Sequence, residues 1–220
     1  MDIVEFWTIC SANGIIPEKE QRKQIERYSS ELLYWNEKVN LISRKDEDKI
    51  LSRHVLHSLS VLKYVDIKNK AKCIDIGTGG GLPGIPLKIA RPDISMLLVD
   101  SIAKKIKITQ MLAKHTGLNK IDAICSRAEN LGNVKEYKAS FDFAFVRAVK
   151  KIEIVLGWIK DIIKKDGIAV FYKGGDLTDE ISDAKKMFPG VEIKEININL
   201  IGAAWLKEDD KKIIICSNIK

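Results

Sequence analysis

The sequence predicts an α/β fold, in which N-terminal helices precede a mostly parallel, seven-stranded sheet with an antiparallel edge strand. Apolar, strand-like runs alternate with helix-like runs from Cys73 onward, an order typical of parallel sheets covered by helices. A glycine-rich turn joins the first strand-like run to the helix-like run after it. The first seventy residues show helical spacing instead, which places the helices of that part before the sheet.

Two apolar stripes with helical spacing lie in the N-terminal part of the chain. One follows Pro17 and predicts a long helix. The other runs from Leu51 to Leu62 and follows the acidic residues Asp46 to Asp48, which suit a helix N-terminus. We expect residues 1–70 to form a helical appendage and residues 71–220 to form the main domain. The first stripe consists of Ile25, Tyr28, Leu32, Trp35 and Val39.

The remainder of the chain predicts seven strands and four helices. The strands are Lys72–Ile76, Ser95–Asp100, Ile121–Cys125, Phe141–Val146, Ile168–Tyr172, Val191–Ile198 and Ile213–Cys216. The helices are Ile85–Ala90, Ala103–His115, Ile152–Lys165 and Leu177–Phe188. The loop from Gly202 to Lys212 contains no obvious helix, and strands joined without a crossover helix pair antiparallel. This loop therefore predicts the antiparallel edge.

Composition and charge predict a globular protein without a membrane span or a secretory signal. The chain is 45% apolar and 30% charged, as is typical of globular domains. It has no uncharged apolar run of about 18 residues, so we expect no membrane span. An acidic N-terminus, MDIVEFW, argues against a secretory signal. The net charge of +7 permits an anionic partner such as nucleic acid, although abundant lysine alone would also produce it.

The four cysteines predict a reduced, cytoplasmic protein. They are scattered, without a CxxC pair, and three lie in apolar strand-like runs, where a thiol serves as a small apolar side chain. Metal-binding or catalytic roles for them are the less favoured alternative. These residues are Cys10, Cys73, Cys125 and Cys216.

The segment from Cys73 to Gly84, CIDIGTGGGLPG, predicts a cofactor site. An apolar strand enters a glycine cluster and a helix follows, while a second strand ends on Asp100, 23 residues after Gly77. Glycine suits a tight turn that a ligand must approach closely. A strand, a glycine turn, a helix and an acid-tipped strand together form a nucleotide-cofactor site at the carboxyl edge of a parallel sheet.

The identity of the cofactor depends on two prolines. Gly79, Gly81 and Gly84 match the G-x-G-x-x-G pattern of dinucleotide sites. Those sites bind pyrophosphate through main-chain N–H groups, and Pro83 and Pro86 remove two of these donors. A cofactor without phosphate fits better. S-adenosylmethionine (SAM) is the leading candidate, and a nicotinamide dinucleotide is the alternative.

Further candidate residues follow the predicted strands. Ala128 and Glu129 come shortly after the third strand, Arg147 directly after the fourth and Lys173 directly after the fifth. Ligands in such sheets bind at the carboxyl ends of the strands. Two cations at adjacent strand ends, beside a cofactor turn, are therefore candidates for binding an anionic ligand, although most surface cations are only solvated.

Several short motifs in this order resemble the RsmG family, the bacterial 16S rRNA guanine-N7 methyltransferases first named glucose-inhibited division protein B. The resemblance covers Trp35 to Lys173 and more loosely both ends. The motifs are Trp35-Asn36, Asn40-Leu41, Arg53-His54, Asp75-Ile76-Gly77-Thr78-Gly79, Gly81-Leu82-Pro83-Gly84-Ile85-Pro86, Asp100-Ser101, Lys104-Lys105, Arg127-Ala128-Glu129, Arg147-Ala148 and Lys173-Gly174.

The resemblance implies a Rossmann-like SAM-dependent methyltransferase fold, with SAM as cofactor and 16S rRNA or the small ribosomal subunit as substrate. It places Arg147 where cofactor and acceptor base meet, as the catalytic residue. It implies RNA contacts by Arg53, His54 and Lys173. The cofactor contacts it implies are Gly77, Gly79, Leu82, Asp100, Ala128, Glu129 and Arg147.

The chain departs from the family pattern at two positions. His57 stands where the family usually has an aspartate, in Arg-His-x-x-Asp-Ser, and Lys211 stands where it usually has an arginine. A lysine keeps the charge but loses the bidentate fork. His54 and His57 have a spacing compatible with a metal, but no third ligand is evident. We therefore predict no metal site.

Guanine N7 carries a lone pair and no proton, so methyl transfer to it needs alignment and no general base. Consistent with this, Val146-Arg147-Ala148-Val149 follows the fourth strand in place of the Asn/Asp-Pro-Pro-aromatic element of amino-group methylases. Three alternatives remain open: a SAM methyltransferase acting on a small molecule, an NAD(P)-dependent oxidoreductase, and a non-catalytic RNA-binding protein. A monomer is the simplest expectation.

Overall fold

The computed structural model describes residues 1–219. The N-terminal part contains α1 (Ile3–Ala12) and α2 (Lys19–Asn36). A 3-10 turn (Arg44–Lys49) leads into a π-helical segment (Ile50–Leu56), which continues through α3 (His57–Leu59) into another 3-10 turn (Ser60–Lys63). The second apolar stripe therefore forms a chain of helical turns with different pitches, where the sequence predicts one regular helix.

Seven strands form one sheet in the order β3-β2-β1-β4-β5-β7-β6. The strands from β3 to β5 pair in parallel, and β7 pairs antiparallel with both β5 and the edge strand β6. This arrangement confirms the predicted mostly parallel sheet and its antiparallel edge. The strands are β1 (Lys72–Ile76), β2 (Ser95–Asp100), β3 (Ile121–Cys125), β4 (Phe141–Arg147), β5 (Ile163–Gly174), β6 (Glu192–Asn197) and β7 (Lys211–Ser217).

Five further helices connect these strands; one of them is shorter than predicted, and a short one, Trp205–Glu208, lies in the loop from Gly202 to Lys212, where no helix was predicted. The expected helix Ile152–Lys165 ends at Ile159, because Ile163 already pairs with Phe141 at the start of β5. The Asp161 and Ile162 carbonyls accept hydrogen bonds from residues 139–141, so these carbonyls are not available to a helix. The helices are α4 (Gly84–Ala90), α5 (Ala103–His115), α6 (Ile152–Ile159), α7 (Thr178–Met187) and α8 (Trp205–Glu208).

Each face of the sheet has its own apolar core. On one face, residues of α1, α2 and the π-helical segment pack with α4, α5 and sheet residues such as Phe143 and Phe145. On the other face, α6 and α7 pack against residues such as Ala144 and Phe171. The N-terminal helices therefore cover the sheet next to the glycine-rich turn. Within residues 1–219, no helix combines the length and the apolar character needed to span a bilayer.

Candidate functional site

A cavity of about 870 Å³ opens at the carboxyl ends of β1 to β4. Residues 40–43 and Asp46 of the N-terminal part form a further wall. Eight of the predicted site residues line this cavity, whereas Arg53 and Lys173 do not. The eight are His54, Gly77, Gly79, Leu82, Asp100, Ala128, Glu129 and Arg147.

The glycine turn is the floor of the cavity, and its shape requires glycine. Gly77 has φ +73°, and a Cβ there would lie 2.5 Å from the Val149 side chain. The N–H groups of Gly77 and Thr78 both donate to the Val99 carbonyl, at 2.8 and 2.9 Å. The turn is thereby attached to β2, and Gly77 packs closely against the Val149 side chain.

Asp75, at the end of β1, lies fully buried under this turn. Its Oδ2 accepts hydrogen bonds from Thr78 Oγ1 (2.7 Å) and the Gly84 N–H (2.9 Å), while Oδ1 has no partner among the described residues. Burial raises the pKa of Asp75 to about 7, against the opposing effect of these two hydrogen bonds. From the sequence, Asp75 was recognised only as part of the motif Asp75-Ile76-Gly77-Thr78-Gly79. The signal that could have identified Asp75 is the presence of an acidic residue inside the otherwise apolar run CIDI.

Asp100 links the turn to the next loop. Its Oδ2 accepts from the Gly79 N–H (3.0 Å) and its Oδ1 from the Ile102 N–H (2.9 Å). A carboxylate offers about four lone-pair sites, so acceptor capacity remains for a ligand hydroxyl. Ala128 begins a 3-10 turn, Ala128–Asn133, and Glu129 beside it forms a loose ion pair with Arg127 at 3.5 Å.

Arg147 extends from the end of β4 and holds the π-helical segment. Its guanidinium donates to the carbonyls of Arg53 (3.0 Å) and His54 (3.1 Å), to Ser58 Oγ (3.2 Å) and to His54 Nδ1 (2.8 Å). Within residues 1–219, it forms no ion pair with a carboxylate. Desolvation lowers the pKa of Arg147. A cation this well fixed, without a counter-ion, is suited to an anionic or strongly polar ligand.

His54 connects Arg147 to the N-terminal wall of the cavity. Because arginine only donates, His54 Nδ1 must accept, and the ring proton lies on Nε2. Burial and the charge of Arg147 lower the pKa of His54 to about 4, with Asp46 acting in the opposite direction. Among residues 1–219, the Nε2 atom has no hydrogen-bond partner, and it lies 3.8 Å from Asp46 Oδ2. The ring is therefore neutral at ordinary pH and points toward Asp46.

Arg53 and Lys173 bind other protein groups. Arg53 pairs with Asp209, and its guanidinium lies 4.3 Å from the centre of the Trp205 ring. Lys173 Nζ pairs with Glu180 and donates to the Lys150 carbonyl. Besides Arg147, the cavity wall has three other cations, Lys105, Arg127 and Lys150.

His57 is buried and does not line the cavity. Its ring packs edge-on against Tyr172 at 5.3 Å, next to Trp205. Burial, together with the charges of Arg147 and Lys211, keeps the pKa of His57 well below its ordinary value. A neutral ring therefore occupies the position where the resemblance expects a carboxylate. No group of three or more His, Cys, Asp or Glu side chains that could hold a metal occurs in the described part of the chain.

Comparison with known proteins shows which family this chain is part of. The family model described as rRNA small subunit methyltransferase G, GidB, matches residues 21–208. The chain belongs to this family. Among curated relatives, a protein of Flavobacterium psychrophilum named ribosomal RNA small subunit methyltransferase G is 42% identical over 186 residues, which is 81% of this chain and 83% of that protein. A relative of the same name from Desulforamulus reducens is 32% identical over 92% of this chain and 84% of its own length.

Solved structures with a similar fold are more distant in sequence. A SAM-dependent methyltransferase from Aquifex aeolicus matches with a TM-score of 0.54 and 14% identity, over 74% of this chain and 89% of that one. Precorrin-6y C5,15-methyltransferase from Geobacter metallireducens matches with a TM-score of 0.54 and 13% identity, over 77% and 90% of the two chains. The predicted family and the predicted Rossmann-like fold are therefore confirmed.

Proposed function

We propose that this chain transfers a methyl group from SAM to N7 of a guanine in the 16S rRNA of the small ribosomal subunit. The observation that supports it most strongly is one cavity that joins a glycine turn, Asp100 and the end of β4 at Arg147, in a chain of the small-subunit methyltransferase family. Such a cavity has room for a cofactor and for part of an acceptor base.

The residues present fit SAM. The backbone of Gly77 is bare toward the cavity, Asp100 has spare acceptor sites, and Arg147 lacks a counter-ion. We infer that Gly77, Gly79 and Leu82 hold the methionine part of SAM. When bound, SAM supplies a methyl group on a positively charged sulfur.

Each of the remaining predicted residues contacts either the adenosine part of SAM or the acceptor base. We infer that Asp100 accepts from the ribose hydroxyls and that Ala128 and Glu129 lie along the adenine. Arg147 fixes the acceptor base by donating toward its O6 edge. Since N7 attacks with its own lone pair and loses no proton, the chain has to align the base and exclude other orientations. No general base is needed.

Substrate binding extends beyond the cavity. Arg53, His54 and Lys173 remain proposed RNA contacts, although Arg53 and Lys173 would have to exchange their present partners, Asp209 and Glu180, for phosphate. We further propose that the protein works as a monomer in the cytoplasm, where small subunits are assembled.

Radiolabelled SAM and small subunits that lack the modification test this function. We expect label in 16S rRNA at one guanosine, and borohydride–aniline cleavage, which breaks RNA at 7-methylguanosine, would map it. Free metabolites should accept no label. Label on metabolites but not on subunits would favour the small-molecule reading, and binding of NADH without binding of S-adenosylhomocysteine would favour the oxidoreductase.

Arg147→Ala should lower kcat/KM for subunit methylation by roughly 100-fold, the loss typical of a preorganised donor. Arg147→Lys should retain part of the activity, because it keeps the charge but loses the fork that binds residues 53 and 54. Arg27→Ala, on the exposed side of α2, is the matched control. Unchanged turnover in Arg147→Ala would remove this residue from the mechanism.

A further inference from the structure

The wall of the cavity formed by residues 40–46 is held rigidly. Asn36 is buried at the end of α2, and its Oδ1 accepts hydrogen bonds from the N–H groups of Leu41 and Ile42, both at 2.8 Å. Its Nδ2 donates to Glu47 at 2.7 Å. This one amide side chain therefore ties the backbone of residues 41 and 42 and the side chain of Glu47, next to Asp46, to the end of α2. A wall fixed in this way can present a side chain at a defined place.

Asp46 is the only carboxylate that this wall contributes to the cavity. Its side chain is 35% exposed, and within residues 1–219 its carboxylate accepts no hydrogen bond. It lies 3.8 Å from His54 Nε2, on the side of the cavity where His54 binds Arg147. Asp100 lies at the end of β2 and Ala128 follows β3, while Arg147 ends β4 on the opposite side of β1. Asp46 thus lies at the acceptor end of the cavity.

The two polar edges of guanine match the charges at this end. N7 and O6 only accept hydrogen bonds, whereas N1–H and the N2 amino group only donate. A base that turns N7 toward the methyl group and O6 toward the Arg147 cation directs its two donors to the far side. A carboxylate with both oxygens unused can accept from both donors at once. Enzymes that take a base out of its helix read it along this Watson–Crick edge.

We propose that Asp46 is the residue that selects guanine, by accepting hydrogen bonds from N1–H and the N2 amino group of the target base. The proposal rests on the proposed function, because it places a guanine in the cavity. His54 positions Asp46: when the Asp46 carboxylate moves onto the base, it also accepts a hydrogen bond from the His54 Nε2–H group. Adenine is rejected, since its N1 is an acceptor that would face a carboxylate.

Subunits reconstituted with inosine at the methylated position test this selection, because inosine keeps N7, O6 and N1–H but lacks the N2 amino group. The wild-type enzyme should methylate the inosine subunit with a kcat/KM about 10-fold or more below that of the guanosine subunit. Asp46→Asn should lose about 10- to 100-fold on guanosine and should treat guanosine and inosine nearly alike, because the carboxamide cannot accept from both donors. Asp48→Asn, which is exposed and outside the cavity, should behave as the wild type.

Other readouts distinguish the alternatives. S-adenosylhomocysteine should bind Asp46→Asn as tightly as the wild type; weaker binding at an unchanged melting temperature would assign Asp46 to the cofactor and overturn the proposal. A wild-type enzyme that methylates both bases equally would also overturn it, whether or not the variant folds. If the wild type methylates no guanosine in the subunit, the proposed function itself fails, which is a different result from a loss of discrimination.

Discussion

At the scale of single residues, the cavity depends on two charged groups that lack their usual partners. Arg147 has four hydrogen bonds but no carboxylate, and Asp75 has two donors and no cation. Burying a charge without a counter-charge costs stability. Both groups lie near strand ends beside the glycine turn, but only Arg147 lines the cavity, where a ligand can supply a partner, whereas Asp75 is enclosed beneath the turn. Perturbed ionisable groups of this kind gather at functional sites.

Asp75 predicts a specific dependence of stability on pH. Burial raises the pKa of its carboxyl to about 7 in the folded protein, whereas an unfolded chain has the ordinary value near 3.9. Between these two values the folded state binds more protons than the unfolded state. Its contribution to the free energy of unfolding therefore falls as pH rises through this window, and the loss is complete above about pH 7.

Urea unfolding of the wild type and of Asp75→Asn from pH 4 to pH 8 measures this effect. The variant should lose less stability across the window, because an amide does not ionise and can still accept from Thr78 and Gly84. Asp166→Asn, at an exposed position of β5, should follow the wild type. An identical pH slope in the wild type and Asp75→Asn would show that Asp75 does not titrate as the structure implies.

At the scale of elements, helix α2 supports the glycine turn from the N-terminal side. The hydroxyl of Tyr28, which is fully buried, donates to the Gly80 carbonyl at 2.9 Å. On the α5 side, Thr109 Oγ1 donates to the Gly79 carbonyl at 2.6 Å. Two helices from different parts of the chain therefore hold consecutive carbonyls of the turn, and they fix its shape before any ligand binds.

Tyr28→Phe should weaken this support without changing the packing of the ring. It leaves the Gly80 carbonyl without its partner, so we expect the free energy of unfolding to fall by about 1–3 kcal/mol. The affinity for S-adenosylhomocysteine should fall as well, because the Gly80 carbonyl of the turn loses its side-chain support. Urea unfolding and calorimetric titration measure these changes. Tyr34→Phe, on the exposed side of the same helix, is the control; equal effects in both variants would contradict a specific role for Tyr28.

The helices and strands differ in how well their bounds could be predicted from the sequence. The strands β1 to β3 and helix α5 have the predicted bounds, because each is a short apolar or amphipathic run closed by a glycine, a polar turn or an acid. The helix from Ile152 was predicted too long, since an apolar stripe does not reveal that Ile163 pairs with Phe141. Residues 50–63 do not form one regular helix, and the cause again lies in tertiary contacts that the local sequence does not reveal. The π-helical segment presents the carbonyls of residues 53 and 54 to Arg147.

The same limit applies to the candidate site. Strand ends and glycines have local signals, so residues that line the cavity at the ends of β1 to β4 could be singled out in the sequence, while their roles as cofactor contacts rest on the family resemblance. Asp46 was interpreted only as the acidic start of a helix, because its approach to His54 depends on how α2 and residues 40–43 fold onto the sheet. Arg53 and Lys173 were expected near the ligand, but nearby acids, Asp209 and Glu180, bind them. Spacing in sequence does not report such long-range partners.

At the scale of the whole molecule, the N-terminal helices are part of the same core as the sheet. Buried residues of this part, such as Phe6 and Leu56, belong to one apolar cluster with Phe145 of β4 and Val170 of β5. Polar contacts cross the same boundary as well, among them Tyr28 to the glycine turn, Arg147 to the π-helical segment, and Tyr172 to the Ser58 carbonyl at 2.7 Å. Both the core and the site therefore need residues 1–70.

Removal of residues 1–70 should consequently abolish folding of the remainder. Residues 71–220 would expose the apolar sheet face that the N-terminal helices cover, and such a surface drives aggregation. The intact chain should unfold in one calorimetric transition whose van't Hoff enthalpy equals the measured enthalpy, because the two parts share a core. Coexpression of residues 1–70 with residues 71–220 is the control, and it should restore solubility and S-adenosylhomocysteine binding. A soluble, cofactor-binding 71–220 fragment, or two separate transitions in the intact chain, would show that the N-terminal helices form an independent unit.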